Sequence, residues 1–244
     1  MTARMIPPYA ALRERVRLSP SAPVITFRDL ATGERMELSA ASLDNAVAKT
    51  AGLMRDELDV QPGSRVGVHL PLHWQRVVWL GACAATGAIF APDADPASCD
   101  VLVVDRDHLD LLGGEDGVVV SLAPFGLPEP GGVPMGAIDA AVAMRAHPDT
   151  FVAYDEPDSA QPLLAQIGGE VLTGAQAWAA AEAELRARGL ARPSRFAIID
   201  PDPAADLLAL AGALGSDGAA VLIAHPTAGD VAAVLAAEGI RATE

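Results

Sequence analysis

Lysine is almost missing from this sequence. Lys49 is the only one, and the 244 residues set 32 Asp and Glu against 17 Lys and Arg, a formal net charge of −15. Binding a phosphate backbone needs clustered cationic side chains, so charge argues against a nucleic-acid role. Acidity disfavours an anionic membrane surface for the same reason, and it keeps an Ala-rich chain soluble. Cysteine is scarce too. Cys83 and Cys99 sit in neither a CxxC nor a Cys/His spacing, which points away from zinc and toward small packing residues of a reducing compartment. Aromatic residues make up 4% of the chain and are scattered, so they form no stacking platform for bases. The longest apolar run, Val77 to Ala91, is broken by Gly81, Thr86 and Gly87, whereas a membrane span needs about 20 residues. Met1 to Pro8 contains no apolar leader segment, and the expectation is a cytoplasmic protein.

Apolar residues, by contrast, make up 51% of the chain, enough for a substantial core, and they fall in a pattern that occurs twice. Leu38-Ser39 enters a helix running to about Leu58, with Leu43, Val47, Ala51 and Met54 on one face and Ser39 or Ser42 as its cap. Pro62-Gly63 turns the chain into a strand, Arg65 to Leu70. A helix over Trp74 to about Thr86 and a buried strand, Ala88 to Ala91, follow. The same order returns at Leu172-Thr173, Arg195 to Pro201, the helix around Leu207–Leu214, and Ala219 to Ile223. A short amphipathic helix over Tyr9 to Val16 and a hairpin of Val24–Phe27 with Met36–Leu38 precede the first copy.

Between the copies, Val101–Val104 and Val118–Ser121 are continuous apolar runs, the pattern of parallel strands covered on both faces. Asp105 to Leu112 and Ala137 to Ala146 read as helices, and Phe151–Tyr154 and Pro162–Leu164 as short strands. The helix Ala228–Glu238 and a brief Ile240 to Thr243 stretch close the chain. Strands alternating with helices predict an α/β protein with two similar subdomains, residues 1–135 and 136–244, each a largely parallel sheet with helices on both faces.

Candidate chemistry is thin. Neither GxGxxG nor GxxxxGK[ST] occurs, and the glycine clusters at 113–117 and 215–218 contain carboxylates that repel phosphate. His69 and His73 are four residues apart around Pro71, one ending a strand and the other opening a helix, so they do not share the helical face of a metal pair. Asp105, Asp107, His108 and Asp110 lack the glycine and terminal glutamate of an EF-hand loop and read as a capped helix start. Asp200, Asp202 and Asp206 follow a strand at the end where open sheets bind ligands. No GxSxG elbow supports a Ser-His-Asp arrangement, and Cys83 lies in an apolar helix as a packing residue.

The blocks Val24 to Phe27, Leu38-Ser39, Val60-Gln61-Pro62-Gly63-Ser64-Arg65-Val66-Gly67-Val68, Leu70-Pro71 and Gly87-Ala88-Ile89-Phe90-Ala91-Pro92 resemble, in order and spacing, the start of adenylate-forming enzymes. That superfamily includes acyl-CoA synthetases, peptide-synthetase adenylation domains and firefly luciferase. The match covers about residues 20 to 105, and the second copy resembles the next subdomain of the same large domain more weakly. The resemblance implies a loop of the form T-S-G-T-T-G-x-P-K-G that wraps the ATP phosphates. At that place the chain reads Tyr154 to Gln176, without the run of hydroxyls or the lysine. The segment P-L-x-H becomes Asp200-Pro201-Asp202-Pro203, and the YGxTE segment that contacts adenine and magnesium has no counterpart. The whole is similar to short actinobacterial proteins that look like truncated AMP-binding enzymes.

These readings predict a catalytically degenerate relative of AMP-dependent synthetases, retained as a module that binds a small molecule or a protein partner, with no cofactor, metal or catalytic residue assigned. An enzyme of another class using the crevice between the halves is the alternative, with His69, His73, Asp200, Asp202 and His225 as candidate ligand-binding residues that should converge in one pocket. A structural subunit that pairs with a full-length synthetase, or with a second copy of itself, is a third reading. It predicts an exposed apolar patch.

Overall fold

The structure, a computed structural model, describes residues 8–113, 117–155, 157–166, 170–190, 195–202, 204–215 and 218–240. Helix α1 (Pro8–Leu18) leads into an antiparallel hairpin of β1 (Pro23–Asp29) and β2 (Arg35–Ser39). Then come α2 (Ala40–Asp56), β3 (Arg65–His69), α3 (Trp74–Thr86) and β4 (Ile89–Pro92). The connecting region adds β5 (Val101–Val104), β6 (Val118–Val119), β7 (Ile138–Asp139) and a single turn, α4 (Ala140–Ala143). A second hairpin, β8 (Pro162–Ala165) and β9 (Val171–Thr173), opens the run α5 (Gly174–Ala187), β10 (Phe196–Ile199), α6 (Ala205–Gly215), β11 (Ala220–Ala224) and α7 (Val231–Ala237).

The repeat is therefore longer than the sequence pattern indicates: hairpin, helix, strand, helix, strand, twice. Ser39 caps α2 by accepting from the Ser42 amide, and Thr173 caps α5 in a box completed by the Gln176 side chain. Each cap satisfies an amide that the helix itself leaves unpaired. In both copies the two following strands are parallel neighbours, with Arg65 opposite Ile89 and Phe196 opposite Ala220.

The hairpins are exchanged between the copies. One sheet has the order β10-β11-β1-β2 and the other β7-β6-β5-β3-β4-β8-β9. The first hairpin thus extends the second copy's sheet, with Phe27 beside Leu222, and the second hairpin extends the first copy's, with Phe90 beside Leu164. Both sheets draw strands from either side of residue 135, so strand pairing ties the two halves together. Among the described residues only the β1–β2 and β8–β9 pairs are antiparallel.

Helix α3 packs against α1, α2 and α6, and every residue in it except Arg76 is buried. Its close approach to α2 depends on Gly81, where a Cβ would lie 2.7 Å from Val47 Cγ2. His73 opens the helix and Gly87, at φ 77°, closes it in the left-handed conformation that glycine adopts without steric cost. One apolar core runs through both copies, from Leu12 and Val24 to Leu208 and Leu222.

Several expected elements differ. Arg106–Leu112 forms 3-10 turns with a kink at His108, because Asp105 caps the start and Gly113 stops the chain before an α-helix is established. Residues 137–146 divide into β7, α4 and a 3-10 turn, since Asp139 pairs with Val119 in the sheet before capping the helix. Phe151 to Tyr154 is irregular, and its two rings meet the Arg55 guanidinium at 4.9 and 4.8 Å. Leu172-Thr173 belongs to β9, one step before its helix. The closing helix starts at Val231, where Asp230 accepts from the Ala233 amide. The glycine clusters at 113–117 and 215–218, the Pro203 position and the stretch 240–243 fall partly or wholly outside the described residues. Among the described residues no helix is long and apolar enough to cross a membrane.

Candidate functional site

Of the five residues singled out from sequence, His69 and His73 flank the β3–α3 connection, and Asp200, Asp202 and His225 follow the adjacent strands β10 and β11. His69 ends β3 at 7% exposure, with its ring 6.5 Å from that of His108, and burial lowers its pKa. His73 is a helix cap: Nδ1 accepts from the Gln75 amide at 3.3 Å, the ring meets Phe27 edge-on at 4.5 Å, and burial pulls its pKa down to about 3, so it is neutral. Asp202 accepts from the Ala204 amide at 3.0 Å and from Arg188 Nη1 at 2.7 Å. His225 Nδ1 lies 2.9 Å from Asp29 Oδ1, and the amide of Asp200 donates to the Ile223 carbonyl. No hydrogen bond or ion pair among the described residues joins any two of the five. Asp105 accepts from the Asp107 and His108 amides and meets His108 Nδ1 at 2.6 Å, which agrees with its reading as a cap. Among the described residues, no three His, Cys, Asp or Glu side chains are placed to hold a metal ion.

The structure instead brings together Arg76 and Asp206. Each is the only charged residue of its helix, α3 and α6. The offset that aligns Arg195 with Arg65 also aligns Asp206 with Arg76, so equivalent positions of the two copies meet. Arg76 Nε donates to Asp206 Oδ2 at 2.8 Å, Nη1 donates to the Leu70 carbonyl, and Nη2 lies 3.6 Å from Asp93 Oδ2 just past β4. Asp206 is 7% exposed, and burial raises its pKa against the opposing pull of Arg76. Lone charges in apolar helices are a signal that sequence reading passed over for Arg76. Asp206 was visible only as one of three aspartates after a strand.

This pair lies on the wall of a cavity of about 530 Å³ between the two copies, at the C-terminal ends of β4 and β8. Phe90, Leu164, Ala181 and Leu208 supply apolar surface, and Arg76, Asp93, Glu184, Asp206 and Gln166 supply the polar groups. Its size and mixture match small-molecule sites. None of the five sequence candidates lines it. Gln166 also begins the short connection between β8 and β9, five residues from 166 to 170, closed by the Gln166 amide donating to the Glu170 carbonyl at 2.8 Å. The equivalent connection between β1 and β2, residues 30 to 34, is also five residues long.

No protein-family model matches the chain. The acetoacetyl-CoA synthetase of Streptomyces lividans superposes with a TM-score of 0.72 at 20% identity, over 90% of this chain and 38% of that one. A mutant form of coronafacic acid ligase from Pectobacterium brasiliense gives 0.72 at 12% identity over 96% and 49%. The fold is that of the adenylate-forming acyl-CoA synthetases. A fatty acyl CoA synthetase of Mycobacterium tuberculosis agrees, with a TM-score of 0.62 at 17% identity over 90% and 44%. In sequence, the chain is 41% identical over 162 residues to a TIGR03089 family protein of Mycobacterium tuberculosis, covering 64% of this chain and 65% of that protein. The chain thus spans about two thirds of this relative and half or less of these synthetase structures.

Proposed function

We propose that the chain is a small-molecule-binding module on an adenylate-forming scaffold, without adenylation activity. The supporting observation is the β8–β9 connection. In the resembling enzymes a ten-residue Ser/Thr/Gly-rich loop with a lysine wraps the ATP phosphates. Here five residues join the strands, the length of the plain turn at the equivalent hairpin, and they include neither hydroxyl nor lysine. The single lysine is committed elsewhere: Lys49 Nζ on α2 pairs with Asp149 at 2.7 Å and donates to the His147 carbonyl at 3.0 Å. A cation on a transferring group contributes several kcal/mol to such reactions, and this connection has no side chain that could supply one. The cavity beside it is the site we assign to the ligand.

Isothermal titration with Mg-ATP and pyrophosphate exchange with a fatty-acid panel test the reading. Neither ATP binding nor exchange is expected. Micromolar ATP affinity, or exchange dependent on any carboxylic acid, overturns it.

A protein partner is the second reading, favoured by the exposed Phe125, Leu127 and Met135. Phe125 sits at φ 63°, a conformation costly for a bulky residue. Light scattering of the pure protein, alone and mixed with a full-length synthetase, reads it: a monomer alone, and in the mixture no species beyond those of the two separate samples, removes it.

A further inference from the structure

We propose that the outer edge of β10 takes a strand from a partner polypeptide, added in parallel and reading as an acidic residue followed by small and β-branched apolar ones. This is independent of the cavity between the copies.

The repeat supplies the template. β3 and β10 are equivalent strands, each paired on one side with the strand that follows it, β4 or β11. On its other side β3 pairs in parallel with β5, from Val66 opposite Val101 to His69 opposite Val104. β10 stands at the end of its sheet, and among the described residues nothing pairs with its other side. The amides of Phe196 and Asp200 donate to the Ala219 and Ile223 carbonyls on the β11 side. The period of two along a strand therefore turns the backbone groups of Ala197 and Ile199 outward, and an open row of this kind accepts an added strand. The other three sheet edges are blunted: β7 and β9 are two and three residues long, and β2 carries Arg35 and Glu37. β10 has no charge between Phe196 and Ile199, and Ile199 is 39% exposed.

The same template gives the partner its chemistry. Asp100 leads into β5: its amide donates to the Arg65 carbonyl at 2.8 Å, and its carboxylate accepts from the Arg65 amide at 2.7 Å. Arg195 is the residue equivalent to Arg65, so an acid leads the incoming strand. Val101 to Val104 follow, with Val103 and Val104 fully buried, the composition of a strand covered on both faces. One feature must differ. A Cβ on Gly67 would lie 2.7 Å from Cys99 Sγ and 3.0 Å from Leu102 Cδ2. Ala197, at the equivalent position, carries that Cβ, so the incoming strand has small residues at both of those places.

The probe is a fluorescein-labelled peptide, Ser-Gly-Asp-Val-Ala-Val-Val-Ser, titrated into the protein by anisotropy, with amide exchange followed by NMR. Saturable binding is expected, with exchange at Ala197 and Ile199 slowed about tenfold or more while Phe196 and Ile198 stay as they were. Ala197→Pro removes an outward amide without touching the β11 ladder and should weaken the peptide about tenfold or more. The same peptide N-methylated at every valine loses its own ladder bonds and should be weakened alike on the unaltered protein, so the test stands even if the proline variant does not fold. No saturable binding, protection that does not alternate along β10, or a proline variant or methylated peptide that binds as well as its parent overturns the proposal. So does a dimer of the pure protein that Ala197→Pro dissolves, because a second copy then occupies the edge. None of these outcomes bears on the small-molecule reading of the cavity.

Discussion

Arg76→Met is the sharpest probe of the contact between the two copies. Its guanidinium side chain is 14% exposed, and its removal strips Asp206 Oδ2 and the Leu70 carbonyl of their donor. A buried pair broken from one side costs about 3–5 kcal/mol, because one charge remains without compensation. Asp206 has an escape, since it can take up a proton. At pH 7 that uptake costs about 1.4 kcal/mol for each pH unit above an unfolded value near 4, or about 4 kcal/mol. At pH 5 the same uptake costs about 1.5 kcal/mol. The expected loss is therefore about 3–4 kcal/mol at pH 7, shrinking to about half that at pH 5. Adding Asp206→Leu removes the stranded charge and should return the protein to within about 1 kcal/mol of the parent. Urea unfolding followed by tryptophan fluorescence measures all four members of the cycle, with Trp74 and Trp79 in the same helix. A loss below about 1 kcal/mol, an equal loss at both pH values, or strictly additive substitutions would refute a buried, coupled pair.

Gly81→Ala places a methyl 2.7 Å from Val47 Cγ2 and should cost about 1–3 kcal/mol through the α2–α3 contact, read as a lower urea midpoint at constant slope. His73→Asn keeps the α3 cap but removes a histidine whose pKa burial lowers to about 3. The unfolded chain protonates His73 below about 6.5, so wild-type stability is lost as pH falls through that value. The variant, weaker at pH 7.5, should close about 2 kcal/mol of the gap by pH 5, seen in paired denaturation curves. Burial works to raise the Glu238 pKa, but Arg35 and Arg195 outweigh it and hold it below the ordinary glutamate value, with Arg195 Nη2 at 2.5 Å and Arg35 Nε at 3.0 Å. Its stabilisation is present above the unfolded value near 4.3 and is lost as pH falls through the depressed folded value. Glu238→Gln should flatten that acid limb of the melting temperature. Five Gly/Ser residues inserted between Gly168 and Gly169 roughly double the turn and should cost below about 1 kcal/mol, since doubling a loop adds about 0.6 kcal/mol. A melting temperature lowered by ten degrees or more would show that the turn itself supports the fold.

How much was legible follows from how local each signal is. The helix Trp74–Thr86 is bounded by a capping histidine and a glycine, so its ends could be read directly. The strand Val101–Val104 is a continuous apolar run between polar residues, and it appears at those limits. The exchange of hairpins was not legible, because it depends on Phe27 meeting Leu222 and Phe90 meeting Leu164, pairings for which a periodic pattern contains no address. The ligand candidates fared according to the same rule. His69, His73 and Asp202 stand at strand ends and helix starts, where chemistry and capping use the same residue types, and the geometry gives His73 and Asp202 capping bonds. Arg76 and Asp206 lie 130 positions apart in the chain and declare themselves only through what they lack, a second charge on either helix.

The repeat explains why the scaffold and the phosphate loop can be separated. In both copies the hairpin positions its strands by pairing with the other copy's sheet, and in the first the Leu30 amide continues that pairing by donating to the Ala224 carbonyl at 3.2 Å. Register is fixed by buried faces and by the neighbouring strand, so the tip can lengthen or shorten while β4, β8 and β9 stay in order. An elaborated tip on one hairpin would add phosphate chemistry, and a plain tip on both leaves a nearly symmetric pair of units. What then distinguishes the interior is no longer at the tip. It is the facing pair of opposite charges, Arg76 on α3 and Asp206 on α6, that stands on the wall of the cavity between the copies.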